Sequence, residues 1–436
     1  MSEVSVGCLL GAFSTTYSTR LRQLGTCLLL AALALLSAPP GFAAPVNWTE
    51  TYFGAARTSY NPHETTLSPS NVSGLQQLPW GGSVAGGITA FALDAGVIYA
   101  QGQGPGAGSN TQILVAIDAT DGTTLWNVMT GNPNFTNGNT IATGSGMVFV
   151  GCTITPTMGA AYGAICAYSK AHGHLKWSYS ASCNCLPNAS VEAPPVYSDG
   201  TVYFGYSSGS SDPFESLTAV DANSGEVLWQ YYTGSNNSMG SATPVIGNGM
   251  VYFSCSGNSF SGVCAANQSD GSPAWTANLG DATIGLTLGG NNVLYVNGGS
   301  LGEFVALNAT TGATIWSMPG NSSSNPMSLA NGIVYATGSD TFVYALHAGT
   351  GRQLWAANLA SQSSVTIANG VLYDDQQGSN NPETAAYSAA TGMLLWSSPG
   401  GASTLHPPPI VANGTLYITN AGCTTGDVCA YALPTE

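Results

Sequence analysis

The sequence predicts an all-β chain, an eight-bladed β-propeller of four-stranded antiparallel blades. Three observations predict it. Seven times an alanine is followed six residues later by a glycine and ten residues later by a tryptophan, with no shift of spacing in any copy. A Val/Ile/Leu-aromatic strand core recurs eight times, from Ile98-Tyr99 to Leu416-Tyr417. The eighth unit stops short of its tryptophan, while Gln77-Leu78-Pro79-Trp80 stands alone ahead of the first. Repeats of about 40–50 residues are single supersecondary units that stack, and four short strands per unit make a blade.

The sixth unit justifies each element in turn. Asn331-Gly332 is a hairpin-turn pair, which joins the inner strand to Ile333-Val334-Tyr335-Ala336. After Gly338 to Thr341, Phe342 to Leu346 forms the third strand. Gly349-Thr350-Gly351 turns the chain, and Gln353-Leu354-Trp355 opens the outer strand. The triads are Ala116/Gly122/Trp126, Ala167/Gly173/Trp177, Ala219/Gly225/Trp229, Ala265/Gly271/Trp275, Ala306/Gly312/Trp316, Ala345/Gly351/Trp355 and Ala386/Gly392/Trp396. Alanine lets a neighbouring blade approach. Glycine supplies the turn. Tryptophan covers that glycine from the adjacent blade. Asp118 and Asp221 cap their turns, with Asn267, Asn308, Ser169, Ser388 and His347 at the same position. The solitary Trp80 segment is read as the outer strand of the eighth blade, so that the two ends of the chain close the ring.

The expected domains are 1–43, a signal peptide; 44–79, an N-terminal extended segment; and 80–436, the propeller. Arg20 and Arg22 flank the apolar run Leu24 to Leu36, and Gly41-Phe42-Ala43 places cleavage after Ala43. No apolar run approaches the roughly 20 residues of a membrane span. Cys27 precedes the apolar run, so a lipoprotein signal is disfavoured.

Charged residues are 6% of the chain. Without residues 1–43, 20 acidic residues face four basic ones: Arg57, Lys170, Lys176 and Arg352. So few cations cannot neutralise phosphates, which excludes a nucleic-acid partner. Near pH 3–4 most of that charge would be protonated away, which points to an acidic exterior habitat.

Eight cysteines remain past the signal. Cys152/Cys166, Cys255/Cys264 and Cys423/Cys429 each place one sulfur after a second strand and the other on the third, at the mouth of one hairpin. That geometry and export favour disulfides. Cys183 and Cys185 bridge each other or stay reduced.

The pattern Ala-x-Asp-x-x-Thr-Gly-x-x-x-Trp, close in Ala116 to Trp126 and Ala219 to Trp229, resembles the tryptophan-docking motif of the pyrroloquinoline quinone (PQQ) repeat family. Over residues 80–436 the chain resembles secreted PQQ-like propellers. Residues 48–80, with Trp48, Tyr52 to Thr58 and Leu67 to Leu75, look like their opening segment. The resemblance implies one of two lives. Quinoprotein alcohol dehydrogenases hold Ca²⁺ with Glu, Asn and Asp, and use an Asp base, an Arg near the quinone and an adjacent Cys-Cys disulfide. Scaffolds similar to BamB carry no cofactor. This chain has no Cys-Cys pair and no Cys-x-x-Cys-His haem site. Glu192 and Asp281, on the inner strands of the third and fifth blades, and His406, before Pro407-Pro408-Pro409, are the candidates to face the channel. Arg57 is expected outside the ring and Arg352 in a blade-edge turn. His172 and His174 are expected in an exposed turn, Asp374-Asp375 at a solvated strand end, and Gly102 to Gly108 in a hairpin tip, not a phosphate loop.

The expectation is therefore a secreted, monomeric, non-catalytic propeller with no cofactor, binding a protein or a cell-surface polysaccharide. The alternative is a PQQ- and Ca-dependent dehydrogenase of alcohols or sugars.

Overall fold

The computed structural model describes residues 46–434, apart from 83–86, 105–110, 133–139, 156–160, 181–189, 208–214, 233–237, 240–242, 258–259, 281–283, 299–301, 362, 376–383, 399–406, 420–422 and 424–426. Eight antiparallel sheets follow one another in chain order as the blades of a ring. Blade 1 runs Ile88–Asp94, Val97–Gln103, Gln112–Asp118 and Thr124–Gly131, from its inner to its outer strand. Blade 7 runs Thr366–Ala368, Val371–Asp375, Thr384–Ser388 and Leu394–Ser397. Blade 8 takes its inner three strands, Ile410–Ala412, Thr415–Thr419 and Val428–Ala432, from the end of the chain. Its outer strand, Gln76–Gly82, comes from the beginning, with Gln77 opposite Tyr431 and Gly81 opposite Cys429. Trp80 closes the ring as the sequence predicts.

The turn chemistry follows the sequence. Each inner strand joins the second through a tight turn, and in seven of these both turn residues are left-handed, as in Asn331-Gly332 with φ of 51° and 75°. Positive φ at both positions matches the twist of the flanking strands. Asp118, Asp221 and Asn308 accept backbone N–H groups two or three residues ahead, which fixes the turn into the outer strand.

Neighbouring blades meet through the repeated triad. The rings of Trp80, Trp126, Trp177, Trp229, Trp275, Trp316 and Trp355 each lie over the glycine of the following blade, from Gly122 to Gly392. A Cβ added at those glycines would meet the indole at 2.3–3.1 Å. From Trp126 to Trp355 the indole N–H also donates to a backbone oxygen of that next blade, as in Trp229 to Gln268 at 3.0 Å. For Trp396 the matching position, six residues beyond Ala430, is Glu436 and not a glycine. The Trp396 ring packs edge-on against Tyr431 instead, with centroids 5.1 Å apart.

Three disulfides pin hairpins: Cys152–Cys166, Cys255–Cys264 and Cys423–Cys429, with Cα separations of 5.8, 5.9 and 5.5 Å. The first two are diagonal across the second and third strands, since Cys152 faces Ala164 and Cys255 faces Gly262 in register. Cys183 and Cys185 lie outside the described residues.

Gly271 and Gly249 separate two costs of a side chain. Both are left-handed, at φ of 70° and 74°, but a Cβ on Gly271 strikes Trp229 at 2.5 Å while one on Gly249 meets nothing within 4 Å. Gly249→Ala is expected to cost about 1 kcal/mol through backbone strain. Gly271→Ala adds overpacking of roughly 1–3 kcal/mol. Urea titrations of the two variants check this; equal losses would show that the indole contact contributes nothing.

Candidate functional site

The antiparallel order sorts the connections onto two ends. Inner-to-second turns and third-to-outer turns share one end. Second-to-third connections and the passages between blades share the other, where several long connections start and end: 104–111 in blade 1, 132–141 after it, 376–383 in blade 7 and 398–409 beyond it. The long-loop end is where a propeller varies without disturbing its core.

The short-turn end carries a strap. Each inner strand exposes an unpaired edge toward the axis, and such edges need partners. Residues 48–61 supply them in ring order. Leu93 N–H donates to the Trp48 carbonyl, Thr143 to Thr49, Ile246 to Ala55, Leu288 to Ala56, Leu329 to Thr58 and Ile367 to Ser59, all at 2.8–2.9 Å. Each donor sits two residues before its turn. In blade 3 the equivalent amide, Tyr197 N–H, donates to the Glu50 carboxyl at 2.9 Å, so a side chain replaces the backbone carbonyl. Tyr60 and Asn61 then pair in parallel with Ile367 and Ala368, and the Asn61 amide reaches the Val411 carbonyl at 2.8 Å. Glu64 receives Gly414 N–H at 3.0 Å.

This strap corrects one expectation. Arg57 is not outside the ring. It is 4% exposed, in the strap among the inner strands, with its guanidinium carbon 4.5 Å from the centroid of the Tyr52 ring. The sequence carried no periodic signal for this, because the strap is not a repeat.

Asp374 and Asp375 correct another. They are not a solvated strand end, being 0% and 1% exposed. Successive residues of a strand point to opposite faces, so the two carboxyls are divided between the two sides of blade 7. Asp374 accepts from Ser361 Oγ at 2.8 Å, and Asp375 from Thr384 Oγ1 at 3.1 Å. Burial pushes Asp374 up to about 7 and Asp375 up to about 8, with the hydroxyl hydrogen bonds opposing. Burial likewise pushes Glu50 up to about 8, against the Tyr197 N–H and Arg57. The register gives a further reason for polarity here. Gln101 and Asn297 occupy the same strand position as Asp375 and donate across to the next blade, to the Gly151 and Thr337 carbonyls at 3.0 and 3.1 Å.

The other sequence candidates are less productive. Glu192 lies on the inner strand Ser190–Ser198, its side chain outside the described residues. Asp281 and His406 are outside the described residues altogether. His172 and His174 are exposed in a turn, with ring centroids 5.8 Å apart. Arg352 is exposed in its turn, and His347 Nδ1 is 3.1 Å from Thr350 Oγ1. Lys170 pairs with Asp94, which also accepts Thr143 Oγ1 at 2.9 Å. Among the described residues, Arg57 sits on the strap against Tyr52, Asp374 and Asp375 face opposite sides of one blade, and no three His, Cys, Asp or Glu come together.

The comparisons accord with this architecture. The family model described as outer membrane protein assembly factor BamB matches residues 110–285 and 259–420. The chain belongs to this PQQ-like, BamB-like propeller family. Among curated proteins it is similar to the tetrathionate hydrolase of Acidithiobacillus ferrooxidans, 27% identical over 288 residues, 55% of each chain. It is also similar to the outer membrane protein assembly factor BamB of Yersinia pestis, 26% identical over 223 residues, 47% of this chain and 53% of that one. The chain thus spans about half the length of the curated relatives it matches. A europium-containing methanol dehydrogenase superposes with a TM-score of 0.69 at 14% identity, over 90% of this chain and 92% of that one, a likeness of fold.

Two outcomes are expected. Because Glu50, Asp374 and Asp375 hold protons to about 8, 7 and 8, the folded chain binds more protons than the unfolded one above the ordinary carboxylate range of about 4. Their contribution to stability is complete below that range and is lost as pH rises to about 8. Asp121, Asp221 and Asp270, held low by turn hydrogen bonds, act oppositely, but they lie in surface turns and are screened. Melting should therefore occur at lower temperature at pH 9 than at pH 5, and Asp375→Asn should reduce the difference. A Tm that climbs between pH 5 and 9 would contradict this. Separately, Glu50→Ala orphans the Tyr197 amide at an expected cost of about 1–3 kcal/mol, whereas Glu50→Gln keeps an acceptor and should cost far less in the same denaturation assay.

Proposed function

We propose that this protein is an exported, acid-adapted, non-catalytic propeller that binds a partner protein or cell-surface polysaccharide through its long-loop end. The observation that carries the reading is the division of the ring: one end is committed to tight turns and a strap, and the longer connections gather at the other. Propeller loops of that kind present an adaptable surface on a rigid frame. Three disulfides support an oxidising compartment. Residues 1–43 are proposed as the export signal, so N-terminal sequencing of the mature protein should begin at Ala44, give or take one residue.

A second reading is hydrolysis of a polythionate. The similarity to a tetrathionate hydrolase favours it, and the buried carboxyls support folding best in acid. The decisive experiment compares three assays on purified protein at pH 4–5. Co-sedimentation with isolated cell envelopes or insoluble polysaccharide, lost on shortening of 399–406 and 376–383, supports the binding reading. Thiosulfate release from tetrathionate establishes the hydrolase reading and overturns the first. Dye-linked alcohol oxidation after addition of PQQ and Ca²⁺ overturns both.

A further inference from the structure

We propose that Arg57 anchors a binding site for a small oxyanion inside the ring, at the end spanned by the strap. The site is separate from the long-loop end, and the inference does not rest on either reading given for that end.

The path of the strap brings its side chains together. Residues 48–61 touch blades 1 to 8 in succession, and an extended residue reaches at most about 3.3–3.6 Å. So short a segment can make this circuit only as a narrow loop. Arg57 and Tyr52, five residues apart, are in face contact at 4.5 Å. Glu50 is near enough to act on Arg57 electrostatically. Tyr52, Phe53, Arg57 and Ser59 hold left-handed φ values of 79°, 61°, 56° and 48°. Backbone strain of this kind persists where the surroundings enforce it, and it collects at ligand clamps.

The charge of the cluster is unbalanced. Arg57 is 4% exposed, and its Nε is buried with no hydrogen-bond partner. A guanidinium stays charged in proteins, and a buried charge without a counter-ion is costly. Burial lowers its affinity for the proton, with Tyr52 and Glu50 opposing, which marks a cation short of solvent. Glu50 is no counter-ion while it carries a proton, and its oxygen already receives Tyr197 N–H. Three other described ionisable groups beside the strap are engaged. Asp94 holds Lys170 and Thr143. Glu64 receives Thr66, Leu67 and Gly414 N–H. Tyr197 OH meets Ser145 Oγ at 3.1 Å. A small oxyanion would supply the missing charge and accept from the unused Nε–H, in the bonding that suits a planar guanidinium. Sulfur oxyanions and carboxylates share this chemistry.

The test is calorimetric titration of the full-length protein with sulfate, thiosulfate and acetate at constant ionic strength, at pH 5 and pH 9. Saturable binding of at least one anion is expected at pH 5, weakened at least tenfold at pH 9, where Glu50 ionises beside the site. Glu50→Gln should bind equally at both pH values, and Arg57→Gln should lose binding. If Arg57→Gln does not fold, the pH response of the parent against Glu50→Gln decides the matter. A sulfate or thiosulfate response assigns an inorganic anion, and an acetate response a carboxylate. Absence of saturable binding at pH 5, undiminished binding in Arg57→Gln, or tighter binding at pH 9 would overturn the proposal.

Discussion

One backbone amide on each of seven inner strands, two residues before its turn, governs how this ring is held at its centre. Eight sheets arranged about an axis leave eight inner edges, and each edge carries a donor that water or protein must satisfy. The strap from Trp48 to Asn61 accepts these donors with its own carbonyls in six blades and with the Glu50 carboxyl in the third, while at the eighth the Asn61 side chain donates to the Val411 carbonyl instead. The polypeptide thereby closes its ring twice. The strap runs around the inside, and the Trp80 strand completes the eighth blade from outside.

The outer contacts obey a different logic. Each indole lies on a glycine where no Cβ fits, and its N–H reaches a backbone oxygen of the same neighbouring blade. The exceptions fall at the seam. Trp396 meets Tyr431 edge-on, and Trp80 covers Gly122 while its own Nε1 is buried without a partner. A ring assembled from two chain ends departs from its repeat just where the ends meet.

Low charge and buried acids belong to one physical design. With charged residues at 6%, few ion pairs are available, and Lys170–Asp94 is the one found among the described residues. Turns are fixed by Asn, Asp, Ser and Thr hydrogen bonds in place of salt bridges. Carboxyls such as Glu50, Asp374 and Asp375 act as neutral polar groups, which is tenable where protons are plentiful.

The amino-acid sequence by itself determined the blades: the 0-6-10 spacing of alanine, glycine and tryptophan, the Asn-Gly turns, the hairpin cysteines and the displaced Trp80 are local signals, each legible within a few residues. The tertiary structure alone decided the fate of Arg57, Glu50 and the Asp374-Asp375 pair. Arg57 read as outside the ring because the strap has no period and takes its form from edges contributed by eight separate blades. Asp374-Asp375 read as solvated because its burial depends on Ser361 and Thr384, which reach it from a neighbouring passage and the next strand. Repeats write their packing into spacing. A segment that serves all the repeats at once can be read only when they stand together around it.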